Sequence, residues 1–301
     1  MTNPVPPTTR LFTNPIPMKT ILTCTDGSLY APSIYDLTAW AARRLDAAVR
    51  VLHMLDPHRE RSESADLSGS LGPDTGEDLL NELVALEETK NRLAREKGKH
   101  LLAGAVRHLR DAGVSAVTSE HQHGELVEAV TRLEADCDLV VMGKRGEAAD
   151  FARQHLGSNL ERVIRASIRP VLVASRKFDP ITRFLIAYDG GPSVEKAIQF
   201  AIEHPLLKGL ECHLVRAGKI DAQAEWFLQE AAGKLRSAGY VVTTQATPGD
   251  PEQVISEAVS QQSIHLLVMG AYGHSRIRHL MVGSTTTAMV RTCHVPVLMF
   301  R

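Results

Sequence analysis

IHLLVMGAYGHSRIRHLMVGSTT, residues 264 to 286, decides the fold. It opens on a nearly continuous apolar run, IHLLVMG, of the kind that forms a buried parallel strand. Glycines follow at 270, 273 and 283, and the stretch closes on Ser284, Thr285 and Thr286. Beyond it, TTTAMVRTC has the length and spacing of a short helix, and HVPVLMF reads as another strand. The glycines therefore lie on a strand-to-helix crossing, where an open parallel sheet binds its ligands.

The residue types in that crossing point to phosphate. Glycine at 270 and 273 allows a sharp turn and a close backbone approach to a ligand that a Cβ would block. Gly283 and Ser284 open a helix whose free N–H groups and positive dipole end attract an anion, and the three hydroxyls add donors. Arg276 and Arg278 lie within reach of a polyphosphate tail, although a loop arginine is commonly just solvated. A plain crossover also accounts for the glycines, but it does not require the hydroxyl run.

The crossing occurs twice. ILTCTDGSLYAPSIYDLTAWAARRL resembles FLIAYDGGPSVEKAIQFAIEH, and HLRDAGVSAVTSEHQHGELVEAV resembles KLRSAGYVVTTQATPGDPEQVI. DLVVMGKRG matches HLLVMGAYG, and SIRPVLVAS matches CHVPVLMFR. Each half runs through alternating strands and helices with an Asp-Gly turn after its first strand, which predicts a parallel sheet covered on both faces. The join falls at SRKFDPITR, residues 175–183. The expected layout is a disordered leader over 1–17, a first domain over 18–176 and a second over 182–301.

Residues 56 to about 98 have no counterpart in the second half. Their front is polar and glycine-rich, a mobile loop by composition; the rest predicts one long amphipathic helix running through to LRDAG. Such a helix overhangs its sheet. Extra cover on its own domain is the first expectation for the apolar stripe, and a subunit contact the second.

Bulk composition removes several function classes. A net charge of -1 over 301 residues gives no electrostatic case for nucleic acid or an anionic membrane. No apolar run approaches the roughly 18 residues that span a bilayer. Cys24, Cys137, Cys212 and Cys293 have no metal-finger spacing and read as buried free thiols in a reducing, cytoplasmic compartment. HQH at 121–123 lacks a third ligand and predicts no structural metal.

The element order, the Asp-Gly turns and the G-x2-G-x9-G-[ST] loop resemble the universal stress protein family in its tandem two-domain form. That resemblance implies two Rossmann-like domains of the adenine nucleotide alpha hydrolase type, each a five-stranded parallel sheet of order 3-2-1-4-5. It also implies packing about a pseudo-twofold axis through the last strands, a dimer-like contact within one chain, with a further homodimer open. In nucleotide-binding members the Asp that ends strand 1 bonds adenine, and a valine backbone at the end of strand 2 frames the base. Those positions correspond to Asp189, after Ala187 and Tyr188, and to Val215. With Met269, Gly270, Tyr272, Gly273, Gly283, Ser284, Thr285 and Thr286 they make up the expected ATP site, with Mg2+ bridging phosphate oxygens.

The first half departs from this pattern. Ten residues rather than nine separate Gly146 from Gly157, and Asn159 stands where Thr285 stands. Glu147 and Asp150 add negative charge there; Lys144 and Arg145 add positive charge. A weaker second site is expected from Thr25, Asp26, Met54, Met142, Gly143, Gly146, Gly157, Ser158 and Asn159. No motif ties a general base to either loop, so the expected role is regulatory binding of adenine nucleotide in stress response. A slow ATPase or nucleotidyl-transfer enzyme and a nucleotide-free scaffold are the alternatives.

Overall fold

The computed structural model describes residues 20–55, 77–144, 158–271 and 284–301. The leader, the polar front of the insertion and both glycine loops lie outside these residues. In the first half the order is β1 (Thr20–Cys24), α1 (Ala31–Leu45), β2 (Ala48–Leu55), α2 (Glu77–Asp111), β3 (Val117–His123), α3 (Leu126–Leu133), β4 (Leu139–Gly143), α4 (Ser158–Ala166) and β5 (Val171–Ala174). The second half repeats it: β6 (Arg183–Ala187), α5 (Pro192–Glu203), β7 (Glu211–Ala217), α6 (Ala222–Ser237), β8 (Val242–Thr247), α7 (Pro251–Gln261), β9 (Leu266–Gly270), α8 (Ser284–Thr292) and β10 (Val297–Phe300).

Among the described residues, ten strands form one sheet in the order β3-β2-β1-β4-β5-β10-β9-β6-β7-β8. Each half thus shows the order 3-2-1-4-5, and neighbours within a half are parallel. The halves join edge to edge through the antiparallel pair β5–β10, with Leu172 opposite Leu298. Both strands are fully buried, so each covers the open edge the other would present to water.

Alternation along the strands explains the two layers of helices. Ile21, Val49, Phe184 and Val268 point into one core, with α1, the carboxyl half of α2, α5 and α6. Leu22, Leu52, Leu185 and Leu267 point into the other, with α3, α4, α7 and α8. Each core runs unbroken across both halves, and every fully buried leucine or isoleucine contributes roughly 1.5–3 kcal/mol. Helix starts follow local chemistry: Asp221 caps α6 by accepting from Ala224 N–H at 2.8 Å, and Asp250 caps α7 by accepting from Gln253 N–H at 3.1 Å, just before Pro251.

Side chains also tie the halves together. Arg44 of α1 donates through Nε to the Leu206 carbonyl at 2.6 Å and through Nη2 to the Lys208 carbonyl. Arg301 donates to the Ala166 carbonyl at the end of α4.

The long helix differs from the first expectation. Its carboxyl half packs on β2, β3 and α1, while residues 81–97 are exposed apart from the half-buried Leu83 and Ala94. The amino half projects beyond the sheet, with nothing among the described residues of its own half beneath it.

Candidate functional site

β6 and β9 are adjacent parallel strands whose chains leave toward opposite faces, β6 into α5 and β9 toward α8. That divergence opens a crevice at their carboxyl ends. At the β6 end, Asp189 Oδ1 accepts from Gly191 N–H at 2.8 Å, an Asx turn that fixes the carboxylate at the rim. Gly190 takes φ +74°, a left-handed conformation that suits glycine. The first half repeats the arrangement: Asp26 Oδ1 accepts from Ser28 N–H at 3.0 Å, and Gly27 has φ +73°.

The side chain of Tyr188 turns away from the crevice. It is buried, and its hydroxyl donates to Glu195 Oε1 of α5 at 3.1 Å. Burial, and then the Glu195 carboxylate, push that hydroxyl well above the usual tyrosine range, so it stays protonated. Thr25, its counterpart, is likewise buried, with Oγ1 2.8 Å from the Tyr35 hydroxyl. Both hydroxyls bond to a side chain near the start of the following helix.

The strand registers place Val215 inside β7 rather than at its end. Ala187 pairs with Val215 and Cys24 with Leu52. Tyr188 N–H donates to the Val215 carbonyl at 2.8 Å, just as Thr25 N–H donates to the Leu52 carbonyl at 2.9 Å. Val215 therefore sits one pleat inside β7, with its carbonyl engaged in the sheet. The strand-end residue is Ala217, the true counterpart of Met54, and alternation turns its backbone toward the same side.

Gly270 ends β9 with a packing role of its own. A Cβ there would lie 2.9 Å from Ser193 Cβ and 3.4 Å from Val194 N, in the first turn of α5. Its missing side chain lets α5 close onto the sheet. Met269 and Met142 are buried in the core beneath α8 and α4, Ala187 is half-buried at the crevice, and Gly143 ends β4 opposite Ala174. Thr286 is also buried, with Oγ1 donating to the Gly270 carbonyl at 3.4 Å, which ties the start of α8 to the end of β9.

Tyr272, Gly273 and Gly283, with Gly146 and Gly157, lie outside the described residues, and Ser158, Ser284 and Thr285 are described by backbone alone. Their backbones begin α4 and α8, so both helix amino ends are in place. The two differ in charge: α4 carries Glu161 in its first turn and α8 carries no acid there. Asn159 is half-buried in that same first turn of α4.

Lys144 does not serve the phosphate side. It is buried, and its ammonium crosses to the other half and donates to the Cys293 carbonyl and, at 3.4 Å, to the Val295 carbonyl. It caps the carboxyl end of α8, where a cation is favoured by the helix dipole. The second-half counterpart is Ala271.

Two residues beside the turns escaped the sequence reading. Arg216 follows Val215, and its Nη1 lies 3.5 Å from the place a Gly190 Cβ would occupy; its buried Nε has no hydrogen-bond partner. His53 holds the same register position in β2, and its Nδ1–H donates to the Thr25 carbonyl at 2.8 Å. Only the repeat alignment carried to the strand ends could have singled them out. The thiols offer no nucleophile: all four cysteines are buried, and burial pushes Cys24 and Cys212 up to about 12. Among the described residues no three His, Cys, Asp or Glu side chains group as a metal site, and no helix is long and apolar enough to cross a membrane.

Comparison with known proteins gives a consistent result. The family model described as the universal stress protein family matches residues 17–175 and again 180–301. Universal stress protein Slr1230 of Synechocystis is 43% identical over 287 residues, spanning 94% of this chain and 100% of that relative. Universal stress protein MT2052 of Mycobacterium tuberculosis is 24% identical over 305 residues, 92% of this chain and 93% of that one. A crystal structure of a universal stress protein from Archaeoglobus fulgidus shares the fold with a TM-score of 0.68 at 21% identity, covering 94% of this chain and 98% of its own. The protein, with its two matching halves, belongs to the universal stress protein family.

Proposed function

We propose that this protein binds an adenine nucleotide, ATP, in the crevice between β6 and β9 and acts as a regulatory binding protein of stress response. The observation that carries this reading is the crevice itself. A fixed carboxylate at Asp189 stands at one strand end, and at the neighbouring strand end the chain leads to the amino end of α8. An acid-free helix start favours a polyphosphate through its N–H groups and dipole. The strand end at Ala217 offers backbone partners to the base, and Asp189 accepts from the exocyclic amine. Arg216, beside Gly190, supplies positive charge at the same rim.

These residues fit the nucleotide in charge and shape, and magnesium would ride on the phosphates with few protein ligands. Nucleotide supplies a signal here rather than a reaction, since no described group is set as a general base at the helix start. The buried free thiols agree with a reducing, cytoplasmic setting. Each half of the chain forms one domain, joined near residues 175–183.

Mass spectrometry of small molecules released by unfolding gently purified protein tests the reading. ATP, ADP or AMP at close to one per chain is expected, and lost in Asp189→Ala. A nucleotide-free protein that shows no thermal shift with ATP rejects it. Multiple-turnover phosphate release, abolished with the binding, would convert the regulator into an enzyme.

A further inference from the structure

We propose that the projecting amino-terminal half of α2 pairs antiparallel with the same segment of a second copy of this chain.

Among the described residues the helix is anchored at its carboxyl end. From Gly98 onward it lies on the sheet: a Cβ at Gly98 would meet the His121 ring at 2.4 Å, and Leu101 packs on Gly27. Before Gly98, residues 81–97 are exposed apart from the half-buried Leu83 and Ala94, over about 25 Å at the rise of an α-helix. Along that length Val84 is 55% exposed, Leu86 50% and Leu93 61%, with Leu83 half-buried. Leu83, Leu86, Lys90, Leu93 and Lys97 recur at alternating spacings of three and four, the seam of a two-stranded coiled coil. A helical overhang draws most of its stability from packing on its apolar face. Nothing described in this chain supplies that packing.

Charge selects the occupant and its direction. Glu82, Glu87 and Glu88 make the front of the exposed segment acidic, with no basic residue between residue 81 and Lys90. Lys90, Arg92, Arg95, Lys97 and Lys99 then make its rear basic, against Glu96 alone. A parallel pair of copies would set acid on acid and base on base. An antiparallel pair sets the acidic front of each copy on the basic rear of the other. The segment is thus complementary to itself in one orientation, as a twofold contact requires. Lysine in place of leucine at Lys90 weakens the seam but restricts its register. The contact lies away from the β5–β10 junction and is independent of the nucleotide reading.

Sedimentation velocity on the full chain tests this. A dimer is expected at concentrations up to about 100 µM. Leu86→Asp with Leu93→Asp should raise the dissociation constant at least about 100-fold, with the circular dichroism melting curve retained, because both positions are exposed in the single chain. Charge variants fix the orientation. Glu82→Lys, Glu87→Lys and Glu88→Lys together should give a monomer, as should Lys90→Glu, Arg92→Glu and Arg95→Glu together, and an equimolar mixture should dimerise. A chain with all six changes should pair with itself and not with the wild type. A wild-type monomer, a dimer untouched by the leucine changes, or heterodimers between wild type and the six-fold variant would each overturn the proposal.

Discussion

The two Asp-Gly turns have nearly the same backbone and face different neighbours. Over Gly27 lies Leu101 of the long helix, whose methyl groups occupy the space a side chain there would need. Over Gly190 lies the guanidinium of Arg216. Further along, the first half begins α4 with Glu161 in its first turn, and the second begins α8 with hydroxyls and no acid. The scaffold has thus been kept twice while the electrostatics of its two crevices have parted. A duplicated fold conserves the place where a ligand can bind; the neighbours decide whether an anion is welcome.

The largest expected effect tests that division directly. Gly283→Val with Ser284→Ala should weaken ATP binding by about 10-fold to 10,000-fold in titration calorimetry, since losing one or two charge-assisted bonds costs about 1.5–3 kcal/mol each. The matching pair, Gly157→Val with Ser158→Ala, should leave the tight site within about threefold. Two equal sites per chain, or equal losses from the two double changes, would break the comparison.

Next in size is a change confined to stability. Lys144→Met strips the cap from the carboxyl end of α8 and leaves buried carbonyls without their donor, at a cost of about 1–3 kcal/mol in urea denaturation. ATP affinity should be unchanged. A loss of affinity without a loss of stability would return Lys144 to the phosphate side. Arg216→Met should act in the opposite sense, lowering ATP affinity by about tenfold, as expected for one charge at a rim, while the unfolding midpoint stays put.

The smallest effect concerns protons. His121 of β3 stands between His53 and His123, with ring centroids 5.2 and 6.1 Å away, and its Nε2 is buried with no hydrogen-bond partner. Burial, then His53, His123, Lys99 and Arg95, hold its imidazole below the usual 6.5. The folded state therefore prefers the neutral ring. That contribution is present above pH about 6.5 and is lost as pH falls through the lowered folded value. The urea midpoint should fall with acidification over this window less steeply in His121→Phe than in the wild type. The position has no titratable counterpart in β8, where Ala246 pairs with Arg216 as His121 pairs with His53.

Much of this was legible in the sequence because it is local or periodic. The apolar runs at 139–143 and 266–270, the paired Asp-Gly turns and the 3.6-residue spacing of α2 each follow from a few neighbouring residues. The order 3-2-1-4-5 came with the family resemblance. What escaped depends on contacts between distant segments. Lys144 reads as a cation beside a glycine loop until the other half places carbonyls in its reach. Val215 reads as a strand end until the register with β6 shows that the strand continues to Ala217. Gly270 also lets α5 close onto the sheet, a packing role that only the distant Ser193 and Val194 reveal. Tyr188 and Thr286 look like rim residues in the sequence, yet both turn their hydroxyls inward.

The antiparallel seam between β5 and β10 has a genetic consequence. Two separate subunits meeting this way would dissociate on dilution, and every substitution would appear on both sides of the contact at once. A covalent tether holds the second half beside the first at a high effective concentration, whatever the abundance of the chain. Each side of the seam then mutates alone. One half is free to gain a leucine over its Asp-Gly turn and a projecting helix, while the other sets an arginine there and the joint sheet survives.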